Sequence, residues 1–166
     1  MNISGINFES IVDGEGVRVV VFVSGCCHDC KGCHNPASHS FTAGQDFSDE
    51  LQNEIIDYIK KTPFVSGITM SGGDPMYSAI EVTEFLKLLK EEIPDVSVWL
   101  YSGFTYEEIL QDVYMTNALL LCDVLVDGEF VLEQRDMTLC YRGSKNQRVI
   151  DVKKSLEQKE VVLCSL

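Results

Sequence analysis

Val17-Arg18-Val19-Val20-Val21-Phe22-Val23 runs straight into Ser24-Gly25 and then Cys26-Cys27-His28-Asp29-Cys30-Lys31-Gly32-Cys33. The first seven residues are strongly β-forming and apolar on both faces, the pattern of a strand covered on both sides, as in a parallel sheet. Ser24-Gly25 breaks the strand, so the cysteines lie in a loop at its C-terminal end. Two registers are open: Cys26-x3-Cys30-x2-Cys33 and Cys27-x2-Cys30-x2-Cys33. Either makes a claw of three thiolates. Three soft sulfurs in one loop suit a polynuclear iron–sulfur centre, and in a four-iron cubane they leave one iron without a protein ligand. A catalytic metal site keeps such an open position; a structural one closes it.

Before this stretch, Asp13-Gly14-Glu15-Gly16 reads as a turn, because glycines on either side of an acid allow positive φ. Met1 to Ser10 is expected to pair as a short strand. After the cysteines a polar stretch runs to Asp46, too long for a simple connector and therefore expected to be functional. Ser48 starts a helix with Asp49 and Glu50 in its first turn. Leu51, Ile55, Ile56 and Ile59 share one face of it, and Thr62-Pro63 ends it. Val65 to Met70 is a strand leading into Ser71-Gly72-Gly73-Asp74-Pro75. A second helix carries Val82, Phe85, Leu86, Leu89 and Ile93 on one stripe and stops at Pro94. Val96 to Tyr101 is the next strand, and Trp99 and Tyr101 on it are expected in the core. Thr105 and Glu108 form a capping box, Thr116 to Leu121 a helical turn, and Asp123 to Gly128 a strand and turn. Beyond these, strands are expected at Arg148–Val152 and Glu160–Cys164, with a helix over Lys153–Gln158 between them.

Alternation of strand and helix marks a parallel α/β sheet built from right-handed crossovers. In such sheets chemistry gathers at the C-terminal ends of the strands. The cysteine loop, Gly72-Gly73-Asp74, Ser102-Gly103 and Asp127-Gly128 all follow strands and are expected on one rim. With 166 residues and 45% hydrophobic content the chain is read as one domain, 1–166, with a sizeable core. The net charge of -13, from 26 acidic and 13 basic residues, opposes binding of a polyanion, so no nucleic-acid partner is expected. No apolar run reaches membrane-span length, and Met1-Asn2-Ile3-Ser4 has no basic n-region. A soluble, cytoplasmic protein without a membrane partner is expected. Seven cysteines in such a chain argue against a disulfide framework. Cys122, Cys140 and Cys164 are read as buried small hydrophobes, and His28 and His39 as solvent-exposed.

Taken with its surroundings, the cysteine spacing resembles the cluster motif of the radical S-adenosylmethionine superfamily. Gly32-Cys33-His34-Asn35-Pro36 and, downstream, Arg142-Gly143-Ser144-x-Asn146-Gln147-Arg148-x-Ile150-Asp151 are similar to the family that activates anaerobic ribonucleoside-triphosphate reductase, a glycyl radical enzyme. The likeness runs from Asp13 to Asp151. It implies an open partial (β/α) barrel with a mostly parallel sheet, forming one radical S-adenosylmethionine domain whose cluster loop spans residues 25–36. It selects the first register, so that Cys26, Cys30 and Cys33 hold a 4Fe-4S cluster with one open iron. In the superfamily a glycine-rich motif ending in an acid holds the methionine amino group of S-adenosylmethionine, which implies that role for Gly72, Gly73 and Asp74. Gly32 stands where many members carry an aromatic residue. Backbone at Gly32 and the ring of His34 are the implied contacts to the adenine region, with Cys33 between them also counted as cofactor-binding; by its residue type alone His34 is equally a ligand or a surface histidine. The implied partners are the anaerobic reductase, as protein substrate, and an electron donor such as a flavodoxin.

Three alternatives accompany this reading: a radical S-adenosylmethionine enzyme with another substrate, an iron–sulfur electron carrier, and a zinc-stabilised binding module drawing on His28 or His34 as a fourth ligand. A carrier normally supplies four cysteines to a cubane, and Cys27 is too close to Cys26 to serve easily. Structural zinc sites usually pair two knuckles, and no second one follows. The residue types of the Arg142–Asp151 segment do not dictate one role.

Overall fold

Val17–Val23 forms strand β2, and Val19, Val20, Val21 and Val23 are all fully buried, as expected of a strand covered on both faces. The computed structural model describes residues 1–165. The strands are β1 (Asn2–Ser10), β2, β3 (Gln45–Asp46), β4 (Val65–Gly72), β5 (Ser97–Tyr101), β6 (Val124–Asp127) and β7 (Arg148–Asp151). They form one sheet in the order β3-β1-β2-β4-β5-β6-β7. The helices are α1 (Asp49–Lys61), α2 (Ala79–Glu92), α3 (Tyr106–Ile109), α4 (Val113–Leu119) and α5 (Val152–Gln158).

The fold is α/β, but the sheet is mixed rather than mostly parallel. β2–β4, β4–β5 and β5–β6 pair parallel, while β1–β2, β1–β3 and β6–β7 pair antiparallel. Connection length accounts for the first antiparallel pair: residues 11–16 between β1 and β2 are too few for a parallel crossover and allow only a hairpin. α1 and α2 supply two of the crossovers between the parallel strands. Ser48 caps α1 by accepting from the N–H of Leu51, and the Thr105–Glu108 capping box is present at α3. Ile55, Ile56 and Ile59 of α1 and Val82, Phe85, Leu86 and Leu89 of α2 share one buried cluster with the sheet residues Val21, Ile68, Met70, Val98 and Leu100.

Two expectations fail locally. Glu160–Cys164 makes a single bridge, Ile150 to Leu163, and no strand; two backbone bonds, Asp151 N–H to Val162 O and Cys164 N–H to Val149 O (both 2.9 Å), join it to β7, and between them Val162 N–H turns to the Ser155 hydroxyl at 2.9 Å. Of the three isolated cysteines only Cys122 is buried; Cys164 is half-buried and Cys140 exposed. Cys164 packs at the margin of the Trp99, Val126 and Val149 cluster rather than inside it.

Near the N-terminal end of β2, Arg18 is 1% exposed. Its guanidinium donates to Thr69 Oγ1 (2.8 Å), Glu15 O (3.1 Å), Ile68 O (2.6 Å) and Ser97 O (2.9 Å), and lies 5.4 Å from the Trp99 ring centroid. Burial pulls its pKa down to about 10.

Candidate functional site

The loops leaving β2, β4, β5 and β6 meet around a cavity of about 260 Å³ whose wall includes Cys26, Cys30, Cys33, Gly72, Gly73 and Gly103. The loop after β2 is shaped by its own backbone. Asp29 and Gly32 take left-handed φ of 53° and 76°, and Cys33 N–H bonds back to Cys30 O at 3.1 Å. That tight turn carries Cys30 and Cys33 to the same wall. The base of the loop is pinned to the Pro36–Ser38 turn, through Gly25 N–H to Ser38 O (2.7 Å) and Cys26 N–H to His39 O (3.1 Å). It is pinned again to the glycine turn, through Gly73 N–H to Val23 O (2.7 Å) and Asp74 N–H to Gly25 O (2.9 Å).

Burial pushes the Cys26 thiol up to about 11, opposed by a hydrogen bond from the backbone of His28. Burial also raises Cys30, opposed by one from the backbone of Phe130. Cys33 Sγ accepts from Asn35 N–H at 3.4 Å and lies 3.3 Å from His39 Nε2. Cys33 has a backbone donor within hydrogen-bond reach, and the backbones of His28 and Phe130 favour the thiolates of Cys26 and Cys30. This is how proteins stabilise cluster thiolates, whose protons leave when iron binds. Cys27 is exposed and off the wall. Among the described residues no three Cys, His, Asp or Glu side chains converge on one ion position. The thiols instead surround a space, which fits a polynuclear group. The residues present fit an iron–sulfur cluster.

His28 and His39, expected in solvent, are both on the cavity wall. The His28 side chain is 8% exposed, with Nε2 2.7 Å from Asp74 Oδ2 and Nδ1 3.0 Å from Glu129 Oε1. The hydrogen bond to Asp74 is the main reason its pKa is raised; burial opposes this and Glu129 adds to it. The ring sits against Phe104 and Tyr77, with centroids 4.6 and 5.4 Å away. A histidine between Cys26 and Cys30 is plain in the sequence, but nothing local announces partners 46 and 101 residues away.

The remaining expected residues divide. Gly72, Gly73 and His34 line the cavity, His34 with its ring 5.6 Å from Phe130. Gly32 is off the wall; its missing Cβ would sit 3.1 Å from Leu132 Cδ1. Asp74 is also off the wall, 1% exposed, its carboxylate turned into the protein. Ser102-Gly103 and Gly128 do reach the rim. Tyr101, expected in the core, is half-buried there, while Trp99 packs with Val126 and Val149.

The Arg142–Asp151 segment braces the β6 exit. Gln147 accepts at Oε1 from Gly143 and Ser144 N–H (2.9 and 3.1 Å) and donates from Nε2 to Gly128 O (3.0 Å). Asn146 donates to Glu129 O at 2.8 Å, and Arg148 pairs with Asp127 and Glu107. These bonds fix the loop that presents Glu129 to His28 and the Phe130 backbone to Cys30.

Comparison with known proteins agrees with this geometry. A family model described as a 4Fe-4S single cluster domain matches residues 12–150. A Haemophilus influenzae protein named anaerobic ribonucleoside-triphosphate reductase-activating protein is 41% identical over 140 residues, 82% of this chain and 89% of its own. Proteins of the same name from Escherichia coli and Enterobacteria phage T4 are 37% and 34% identical, over 84% and 90% of this chain and 91% and 93% of theirs.

Proposed function

The chain belongs to the family of anaerobic ribonucleoside-triphosphate reductase-activating proteins, and we propose that it installs a glycyl radical on an anaerobic ribonucleotide reductase by radical S-adenosylmethionine chemistry. The observation that carries this is the placement of Cys26, Cys30 and Cys33 around one cavity, next to the Gly72-Gly73 wall. Cys26, Cys30 and Cys33 would hold a 4Fe-4S cluster there and Gly72-Gly73 would take S-adenosylmethionine beside it; together these groups would supply the one-electron chemistry for hydrogen abstraction from a reductase glycine.

The chain's own residues hold and orient. Cys26, Cys30 and Cys33 would be the cluster's protein ligands. Gly72 and Gly73 put bare main chain on the cavity wall, where the cofactor would meet it; behind them the turn packs on the chain's own backbone, which a Cβ at either would meet at 2.5–2.6 Å. Cys33 and His34, with the backbone near Gly32, face the adenine side. Phe130 and Tyr101 close part of the cavity against water. We read the sheet as part of an open partial (β/α) barrel whose cavity would receive a segment of the reductase, with an electron donor such as a flavodoxin as the second partner.

The test is anaerobic mixing with reductant, S-adenosylmethionine and the cognate reductase deuterated at its glycine Cα. A glycine-centred radical and deuterium in 5′-deoxyadenosine are expected. Deuterium arriving instead from a labelled small metabolite, with no radical on the reductase, overturns the activase reading.

A further inference from the structure

The surroundings of Asp74 do not suit the ammonium contact that its place in the glycine turn implies. Oδ1 accepts from the N–H of Met76 at 2.9 Å. Oδ2 accepts from His28 Nε2 (2.7 Å), the Ser102 hydroxyl (2.9 Å) and the Gly103 N–H (2.9 Å). With two lone pairs per oxygen, Oδ2 is already more than satisfied by its three donors and Oδ1 is half-satisfied by Met76, so the protein itself supplies the carboxylate with four donors. At 1% exposure the residue is covered by protein and is absent from the cavity wall.

His28 is held just as firmly. Besides Asp74 it meets Glu129 Oε1 at 3.0 Å, and its ring lies against Phe104 and Tyr77. Gly103 lacks a Cβ where one would stand 2.5 Å from the imidazole Cδ2, so the β5 exit is shaped around this ring. His28 is two residues from Cys26 and two from Cys30. Whatever fixes the ring fixes the stretch of loop that carries both sulfurs.

We propose that Asp74 and His28 form a positioning pair that sets the cysteine loop against the β4 and β5 exits, and that Asp74 does not itself receive the ammonium group of S-adenosylmethionine. The proposal rests on the cluster reading above and revises one contact within it. Cofactor contacts on this side come from Ser71, Gly72 and Gly73, which line the cavity where Asp74 does not.

The pair is testable without any cluster. In metal-free protein, amide exchange is measured by mass spectrometry over residues 26–33 and 102–104. His28→Leu, which keeps bulk without a donor, is expected to raise exchange in both segments about tenfold, the loss of one buried hydrogen bond. His28→Gln, which keeps an N–H donor toward Asp74, restores most of the protection. In reconstituted protein, His28→Leu and Asp74→Asn should shift the electron paramagnetic resonance spectrum of the reduced cluster in the same direction. The double variant should be no worse than the stronger single one, as for residues acting as a unit. The S-adenosylmethionine dissociation constant of Asp74→Asn, per cluster, should stay within about threefold of the parent. A loss of affinity beyond about tenfold at unchanged exchange and iron content overturns the proposal, as does parent-like exchange and spectrum in His28→Leu. The His28 variants carry the test by themselves if Asp74→Asn is recovered unfolded. A parent chain that assembles no cluster defeats the cluster reading, while the metal-free exchange result still decides the pair.

Discussion

Arg18 carries a charge into the sheet, and no carboxylate lies in salt-bridge range of it among the described residues. Desolvation opposes its burial; the bonds to Thr69, Glu15, Ile68 and Ser97 and the Trp99 face offset that cost. Arg18→Ala removes all of these and leaves a void, so urea unfolding should show a loss of about 2–4 kcal/mol. Arg18→Lys should recover little, because a compact ammonium cannot span four acceptors held for a planar fork. At the same scale, the wall positions of Cys26, Cys30 and Cys33 and the exposure of Cys27 separate four neighbouring thiols. After anaerobic reconstitution, Cys26→Ala, Cys30→Ala and Cys33→Ala are each expected to abolish S-adenosylmethionine cleavage, while Cys27→Ala keeps its iron and most of its activity. Iron loss in Cys27→Ala with retention in Cys26→Ala would move the ligand register by one residue.

The turn after β4 shows how an element does more than its sequence suggests. Two glycines before an acid read as a ligand-approach turn, and by that reading Gly73→Val would weaken only cofactor binding. In the fold, a Cβ at Gly73 would lie 2.5 Å from Gly25 O and 2.9 Å from Ser38 O, both in the backbone that anchors the cysteine loop. Gly73→Val is therefore expected to lower iron content together with S-adenosylmethionine affinity, measured by iron analysis and equilibrium binding on the same preparation. Normal iron with weakened binding would show that the loop base yields and that the turn serves the cofactor alone. The Arg142–Asp151 segment is a second case. Its amides and arginine do not touch one ligand but hold the β6 exit from beneath, through Gly128 and Glu129.

For the whole molecule, the long loop between β2 and β3 has one three-residue helical turn as its only regular structure, and a cluster would cross-link it. Cluster-loaded protein should thus unfold at a higher temperature than the metal-free chain, by at least about 5 °C, since binding energy for the folded form adds to stability. Equal midpoints in anaerobic calorimetry would show that the loop is ordered without its metal. No helix among the described residues is long and apolar enough to cross a membrane. The sequence by itself determined the α/β alternation, because apolar period and caps are local properties. It determined the buried β2 strand, because seven successive residues report their own environment. It determined the cysteine claw and the rim at Gly72-Gly73, Ser102-Gly103 and Gly128, because chemistry at strand ends follows from strand order. Only the tertiary structure decided that half the strand pairings are antiparallel, that Asp74 faces His28, Ser102 and Gly103, and that His28 and His39 line the cavity. Those outcomes depend on contacts between residues far apart in the chain, and such contacts leave no period or spacing in the sequence to read.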